Sequence, residues 1–200
     1  MIQPHTKSSP QRMASMYDAL LTIDREGIPG DVVECGVWRG GNLMLARMVC
    51  PLRTCWGYDT FDGMTEPDPL LDHKRDGERA IDRYHLKKNG GTKWDAVPFQ
   101  DVCDAFEARG LGGVNWVVGK VEDTARHHCG QIAILRLDVD WYWPTRVALE
   151  QLYPRLVPGG FLIIDDYGHW MGCARAVDDY FGSKRPEFQQ VDYSCVVLRK

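Results

Sequence analysis

The segment from residue 132 to 168 holds two short apolar runs with a helical pattern between them, and it limits the possible folds more than any other stretch. Residues 132–137 and 161–164 have the composition of buried strands, and residues 144–156 place apolar side chains along one helical face. A proline and two glycines at 158–160 predict that the helix stops there and the chain turns. A strand, a helix and a second strand in this order almost always give parallel strands. The sequence therefore predicts an α/β fold on a parallel sheet.

Each of the two predicted strands ends in a pair of acidic residues. Asp138 and Asp140 follow the first strand, and Asp165 and Asp166 follow the second. Parallel strands align their carboxyl ends, which is where open α/β sheets bind ligands. Four carboxylates at one rim repel one another unless they are protonated or bridged by a cation. Because Mg²⁺ prefers oxygen ligands, the pattern predicts a divalent cation site.

A glycine-rich turn follows the first predicted strand of the chain, which begins at residues 32–33 and ends at Glu34. Gly36, Trp38 and Gly40 lie in this turn, and its glycines allow the backbone to approach a ligand closely. The pattern differs from the G-x-G-x-x-G turn that places pyrophosphate at a helix N-terminus. An acidic residue before the turn suits S-adenosylmethionine, which has a cationic sulfonium and no phosphate. A purely structural turn is the alternative.

The second and third predicted strands end in further candidates for cofactor binding. Residues 54–58 form the second strand, and Asp59 follows where Rossmann-like folds place the acid that binds the ribose hydroxyls. Thr60 is next to it, and the alternative is that Asp59 only caps the turn at 59–63. Residues 115–119 form the third strand, and Glu122 follows where the adenine ring would lie.

The remaining segments predict one domain over residues 1–200. Residues 1–30 form a polar arm and a helix (11–26) that packs on the sheet or on a neighbouring subunit, and the arm is a candidate lid. Residues 62–96 form a long polar insertion, typical of a functional lid or a mobile segment, with a short helix at 79–88. Further helices are predicted at 97–109 and 173–181. Residues 188–191 and 194–198 predict a terminal antiparallel hairpin, which is typical of methyltransferases and not of dehydrogenases.

Composition excludes several classes of function. The net charge is −4 and there is no dense Lys/Arg run, which argues against a nucleic-acid surface. The apolar runs are too short to span a membrane, and the first ten residues lack the apolar region of a signal peptide. The seven cysteines are scattered without a C-x-x-C pair, which is typical of reduced thiols. We therefore expect a cytoplasmic protein without nucleic-acid or membrane partners.

Six segments in the same order resemble the macrocin O-methyltransferase family. They are VECGVWRGG (33–41), YDTFDGM (58–64), GKVEDT (119–124), LRLDVDWY (135–142), LYPRLVPGG (152–160) and IIDDYGHW (163–170). The resemblance implies a class I methyltransferase with Rossmann-like fold: a mostly parallel seven-stranded sheet, helices on both faces and a C-terminal antiparallel hairpin. It also implies a Mg²⁺-dependent O-methyltransferase that uses S-adenosylmethionine on a hydroxyl of a sugar or glycosylated natural product. We expect a homo-oligomer.

The resemblance also implies roles for individual residues. Asp138, Asp165 and Asp166 fall on the family's metal-binding positions, and Asp140 on that of the general base. Glu34, Gly36 and Asp59 fall on cofactor-binding positions. Trp143-Pro144 departs from the family's Glu-Ser pattern and leaves the acceptor open.

Several alternatives remain open from the residues alone. His169 is either a second candidate base, an acceptor contact or a bystander. The acceptor is a sugar hydroxyl, a catechol or another polyol, since vicinal hydroxyls chelate Mg²⁺ in the same way. A nucleotide-dependent oxidoreductase and a non-catalytic S-adenosylmethionine-binding protein are the rival classes.

Overall fold

The computed structural model describes residues 2–200, so Met1 of the predicted domain and arm lies outside it. The strands are β1 (Asp31–Cys35), β2 (Cys55–Asp59), β3 (Val114–Val118), β4 (Ile132–Leu137), β5 (Leu156–Ile164), β6 (Gln189–Gln190) and β7 (Val196–Arg199). They form a seven-stranded sheet in the order β3-β2-β1-β4-β5-β7-β6. Strands β1 to β5 are parallel, and β7 pairs antiparallel with both β5 and β6. This confirms the predicted fold class.

Helices cover both faces of the sheet. They are α1 (Pro10–Arg25), α2 (Gly41–Val49), α3 (Ala80–Asn89), α4 (Phe99–Glu107), α5 (Val121–Thr124), α6 (Tyr142–Leu152) and α7 (Met171–Phe181). Alternate strand residues feed two cores: Val33 and Leu135 pack with α6 and α7, whereas Val32 and Ile134 pack with α1 and α2. No helix in the described part of the chain is long and apolar enough to cross a membrane.

The turn predicted at Pro158–Gly160 is instead part of β5. The helix before it ends at Leu152 and continues as one 3₁₀ turn, Tyr153–Arg155. The pairing with β4 jumps from Ile132–Leu156 to Ile134–Phe161, so the proline and glycines form a bulge in the strand. Backbone hydrogen bonds to Lys200 hold this bulge: Gly159 N–H donates to its carbonyl at 2.7 Å, and Gly160 accepts from its N–H at 2.9 Å. The segment is therefore held between β4 on one side and Lys200 on the other.

The insertion at residues 62–96 is docked on the fold. Asp72 lies at its centre, and its carboxylate accepts hydrogen bonds from the backbone N–H groups of Tyr142 (2.8 Å) and Asp68 (2.7 Å). Tyr142 is the first residue of α6, so Asp72 satisfies a free N–H at that helix start. Burial raises the pKa of Asp72 to about 6. Trp94, also from the insertion, is buried in the core beside Trp141.

Candidate active site

A cavity of about 320 Å³ lies at the carboxyl ends of the parallel strands. Its walls come from the turn after β1, the end of β2, the acidic ends of β4 and β5, the insertion and the N-terminal arm. This volume lies at the lower end of the range of small-molecule sites. Its position is where open α/β sheets bind ligands.

Gly36 allows the ends of β1 and β4 to approach closely. Its φ is +84°, and a Cβ at this position would lie 1.8 Å from the carbonyl oxygen of Asp138. Two backbone hydrogen bonds continue the ladder past the strands: Asp138 N–H donates to Cys35 O, and Asp165 N–H donates to Leu137 O, both at 2.9 Å. The glycine turn and the acidic ends of β4 and β5 therefore meet at one rim, as the parallel arrangement predicts.

Three carboxylates gather at this rim. Asp138, Asp140 and Asp166 each offer an oxygen, and these oxygens lie within 4.8 Å of one another. Burial, and then the charge of Asp138, raise the pKa of Asp140 to about 8. Burial and the charge of Asp140 raise the pKa of Asp166 well above its usual value. Among the described residues, Oδ2 of Asp166 has no hydrogen-bond partner although it is buried. Such a cluster holds protons or a cation.

Asp165 does not belong to this group, although the resemblance places it among the metal ligands. Its Oδ2 accepts a hydrogen bond from Arg12 Nη1 and its Oδ1 accepts one from Arg136 Nη2, at 2.6 and 2.7 Å. Both oxygens are therefore engaged by arginines, while Asp140 lies beside Asp138 and Asp166 instead. One feature of the sequence could have indicated this role of Asp165. Arg136 lies within the buried apolar strand β4, and a buried guanidinium requires carboxylates nearby as counter-ions.

Glu34 and Gly40, two predicted cofactor-binding residues, are absent from the cavity lining that the described residues form. Glu34 is buried, and its Oε1 accepts a hydrogen bond from Arg136 Nη1 at 2.7 Å. Burial raises the pKa of Glu34 to about 8. Gly40 has a φ of +81° before α2, and a Cβ there would meet the ring of Phe106 at 2.5 Å. Glu34 therefore contacts Arg136 and not the cavity, and Gly40 allows α2 to pack closely against Phe106.

The other predicted cofactor-binding residues line the cavity; they are Gly36, Trp38, Asp59, Thr60 and Glu122. Asp59 Oδ2 accepts hydrogen bonds from the backbone N–H groups of Val37 (2.7 Å) and Trp38 (2.9 Å). Its Oδ1 accepts one from Phe61 N–H at 2.8 Å. Asp59 thus ties the ends of β1 and β2 together, as a capping residue would, while facing the cavity. Within residues 2–200, the buried Oε2 of Glu122 has no partner.

His169 and Trp170 lie beside the acidic group. His169 lines the cavity, and its Nδ1 is 3.3 Å from the hydroxyl of Tyr193. Burial, and then the charge of Lys74, lower the pKa of His169, so the ring is neutral near pH 7. Trp170 donates its Nε1–H to Asp140 Oδ1 at 2.9 Å and contacts Trp141 edge to face. Asp140, which has a φ of +60°, is therefore held in one orientation.

The N-terminal arm borders the cavity, and the sequence did not identify which of its residues do so. His5, Thr6 and Lys7 line the cavity together with Arg12 of α1. Lys7 Nζ is 2.5 Å from Asp95 Oδ1 of the insertion, and its ammonium lies over the ring of Trp38. The arm and the insertion therefore meet beside the glycine turn that follows β1.

The sheet order, the terminal antiparallel hairpin and the glycine turn facing Asp59 define a class I methyltransferase that depends on S-adenosylmethionine. The family model of macrocin-O-methyltransferase (TylF) matches residues 3–200, and the chain belongs to this family. The chain is accordingly an O-methyltransferase. Membership of this family disfavours the oxidoreductase alternative.

Individual relatives agree with this assignment. The chain is 38% identical over 187 residues to 8-demethyl-8-(2,3-dimethoxy-alpha-L-rhamnosyl)-tetracenomycin-C 4'-O-methyltransferase of Streptomyces olivaceus, covering 89% of this chain and 68% of the relative. It is 34% identical over 184 residues to mycinamicin III 3''-O-methyltransferase of Micromonospora griseorubida, covering 88% and 70%. The solved structure of the O-methyltransferase NovP superposes with a TM-score of 0.83 at 28% identity, covering 98% of this chain and 82% of NovP.

Proposed function

We propose that this enzyme transfers a methyl group from S-adenosylmethionine to a hydroxyl of a sugar in a glycosylated natural product, with the help of Mg²⁺. The observation that carries the proposal is the convergence of three carboxylates beside the glycine turn of the cofactor site. The names of two relatives support the acceptor class, since they describe methylation of a rhamnosyl tetracenomycin and of mycinamicin III.

The charges at the rim fit a divalent cation. Five carboxylates lie there, those of Glu34, Asp138, Asp140, Asp165 and Asp166, against the two guanidinium groups of Arg12 and Arg136. The surplus of carboxyl groups over guanidinium groups, and the unpartnered Oδ2 of Asp166 judged over the described residues, suit a hard cation that takes oxygen ligands and replaces the protons on these groups.

Asp138 and Asp166 would hold this ion. Asp165 would join them only after Arg12 releases its Oδ2. When bound, Mg²⁺ makes an acceptor hydroxyl more acidic and orients neighbouring hydroxyls.

Asp140 is the residue that we propose takes the proton from the acceptor hydroxyl. A general base must lie within reach of the proton that it takes, and Asp140 lines the cavity beside Asp138 and Asp166. Trp170 fixes this carboxylate through one oxygen and leaves the other free for the proton. His169 is neutral and is the second candidate base. Methyl transfer is an in-line displacement, so the walls of the cavity must also hold the acceptor close to the methyl carbon.

The test is an assay of the enzyme with S-adenosylmethionine and a panel of glycosides, catechols and simple polyols. We expect products heavier by one methylene from glycosides, loss of turnover with EDTA and recovery with Mg²⁺. Asp166→Asn should abolish turnover, whereas Asp24→Asn, an exposed control on α1, should not. Full turnover in EDTA would contradict the role of the cation, and products from catechols alone would contradict the acceptor class.

A further inference from the structure

One arginine interrupts the apolar strand β4. All six residues of this strand are buried, and Arg136 is 1% exposed. Burying a guanidinium is costly unless its N–H groups and its charge are satisfied. The packing of a central strand does not require a guanidinium. The role of Arg136 must therefore be sought in its hydrogen bonds.

The guanidinium joins three neighbouring strands at the rim. Nη1 donates to Glu34 Oε1 of β1 at 2.7 Å and to Asp138 Oδ2 at 2.9 Å. Nη2 donates to Asp165 Oδ1, just past β5, at 2.7 Å and to Ser8 Oγ of the arm at 3.0 Å. Glu34 is the registered neighbour of Arg136 on β1, so this pair anchors the side chain from within the sheet.

These bonds determine what Asp138 presents to the cavity. Arg136 holds Oδ2 of Asp138, while the side chain of Asp138 stays 32% exposed and lines the cavity. The same fork holds Asp165, so the acids after β4 and β5 are kept at a fixed spacing. We propose that Arg136, braced by Glu34, is a positioning residue that orients Asp138 for the divalent cation. This inference rests on the proposed function.

Two roles of Arg136 can be distinguished: it could only neutralise the charge of the neighbouring carboxylates, or it could also fix their positions. Arginine offers a planar fork that reaches two carboxylates in fixed directions, whereas lysine offers one compact charge on a flexible stem. Residues that orient metal ligands typically change metal affinity 10- to 100-fold when replaced. Arg136→Lys conserves the charge and loses the fork, so it separates the two roles.

The experiment measures Mn²⁺ binding to the full chain by electron paramagnetic resonance, without any acceptor. For Arg136→Lys we expect the dissociation constant to rise roughly 10- to 100-fold. Arg146→Lys, whose arginine forms an ion pair with Glu150 on the surface of α6, is the matched control and should bind like wild type. Thermal melting and binding of S-adenosylhomocysteine verify that each variant is folded.

A second charge-conserving variant covers the case in which Arg136→Lys does not fold. Glu34→Asp shortens the side chain by one methylene, so its carboxylate no longer reaches Nη1 of Arg136. This variant should also raise the dissociation constant for Mn²⁺. Wild-type affinity in either folded variant would overturn the positioning role while leaving the cation site intact. A wild-type enzyme that binds no Mn²⁺ would overturn the cation site itself and the inference with it.

Discussion

The contact between Gly36 and Asp138 gives a sharp test of how the site is assembled. In Gly36→Ala, the new Cβ would start 1.8 Å from the Asp138 carbonyl oxygen, and real Cβ atoms essentially never approach closer than 3.0 Å. The ends of β1 and β4 must therefore separate by about 1.2 Å, the difference between these two distances. We expect Asp138, and the proposed cation site with it, to move by a comparable amount.

The magnitude follows from two contributions. A misplacement of about 1 Å in an active site lowers the rate roughly 10²-fold, equivalent to about 2.7 kcal/mol of activation free energy. The alanine also carries a cost of about 1–2 kcal/mol in folding free energy, because its φ lies in the left-handed region. The second contribution occurs at any glycine of positive φ, so it can be subtracted.

Gly77→Ala supplies that subtraction. Gly77 has a φ of +90°, and a Cβ there meets nothing within 4 Å. Both variants should lose the folding free energy of an alanine with positive φ in urea titrations, and Gly36→Ala should lose more because its Cβ also clashes with the Asp138 carbonyl oxygen. Only Gly36→Ala should lose about 10²-fold in kcat/KM, measured with the best glycoside of the panel. Equal kcat/KM in the two variants would refute the claim that this contact sets the position of Asp138.

Three further predictions test other parts of the structure. Asp72→Ala should lower the free energy of unfolding in urea by about 1–3 kcal/mol, because two backbone N–H groups lose their acceptor. It should also speed tryptic cleavage within residues 62–96. If neither quantity changes, the insertion is anchored by other contacts. Burial raises the pKa of Asp192, but the hydrogen bonds from Arg12, from Ser9 and from the backbone N–H groups of Ser194 and Cys195 together outweigh burial, so the pKa in the folded state is lowered. The ionised Asp192 therefore stabilises the folded state above its unfolded pKa of about 3.9, and this contribution is lost as the pH falls. Asp192→Asn should flatten the acid side of the plot of unfolding free energy against pH. A plot parallel to that of wild type would refute the role of the Arg12–Asp192 ion pair. Trp170→Phe should lower kcat roughly tenfold or more with little change in KM, because Asp140 loses its N–H donor; an unchanged kcat would remove Trp170 from the site.

Local patterns in the sequence were sufficient for the parallel pairing of the strands and for part of the site. Strand, helix and strand in succession predict parallel pairing, and parallel pairing brings Asp138 and Asp166 to one rim. The glycine turn at Gly36 follows from the same logic, because a turn at a strand end faces the ligand. These predictions depend on residues close together in the chain, where periodicity and turn chemistry are informative.

The contacts of the arginines were beyond such patterns. Arg12 and Asp165 are separated by 153 positions, and no local spacing indicates that they meet. Glu34 bonds to Arg136 because β1 lies next to β4, and this neighbour relation depends on the strand order of the whole sheet. The extended conformation of the glycines in β5 depends on Lys200 in the same way. Tertiary pairing decided each of these cases.

The hydrogen bonds from Arg12 to Asp165 and Asp192 have a consequence for folding during ribosomal synthesis of the chain. Arg12 leaves the ribosome 180 positions before Asp192, a delay of about 10 to 40 s at the usual rate of synthesis. During this interval α1 can fold, but its guanidinium has no carboxylate to bind until Asp165 is made 153 positions later, and it lacks Asp192 until the end. The contacts of Arg12 are therefore completed only when the last hairpin has been made, so a nascent chain arrested before β6 should carry the five parallel strands and an Arg12 that lacks its Asp192 partner.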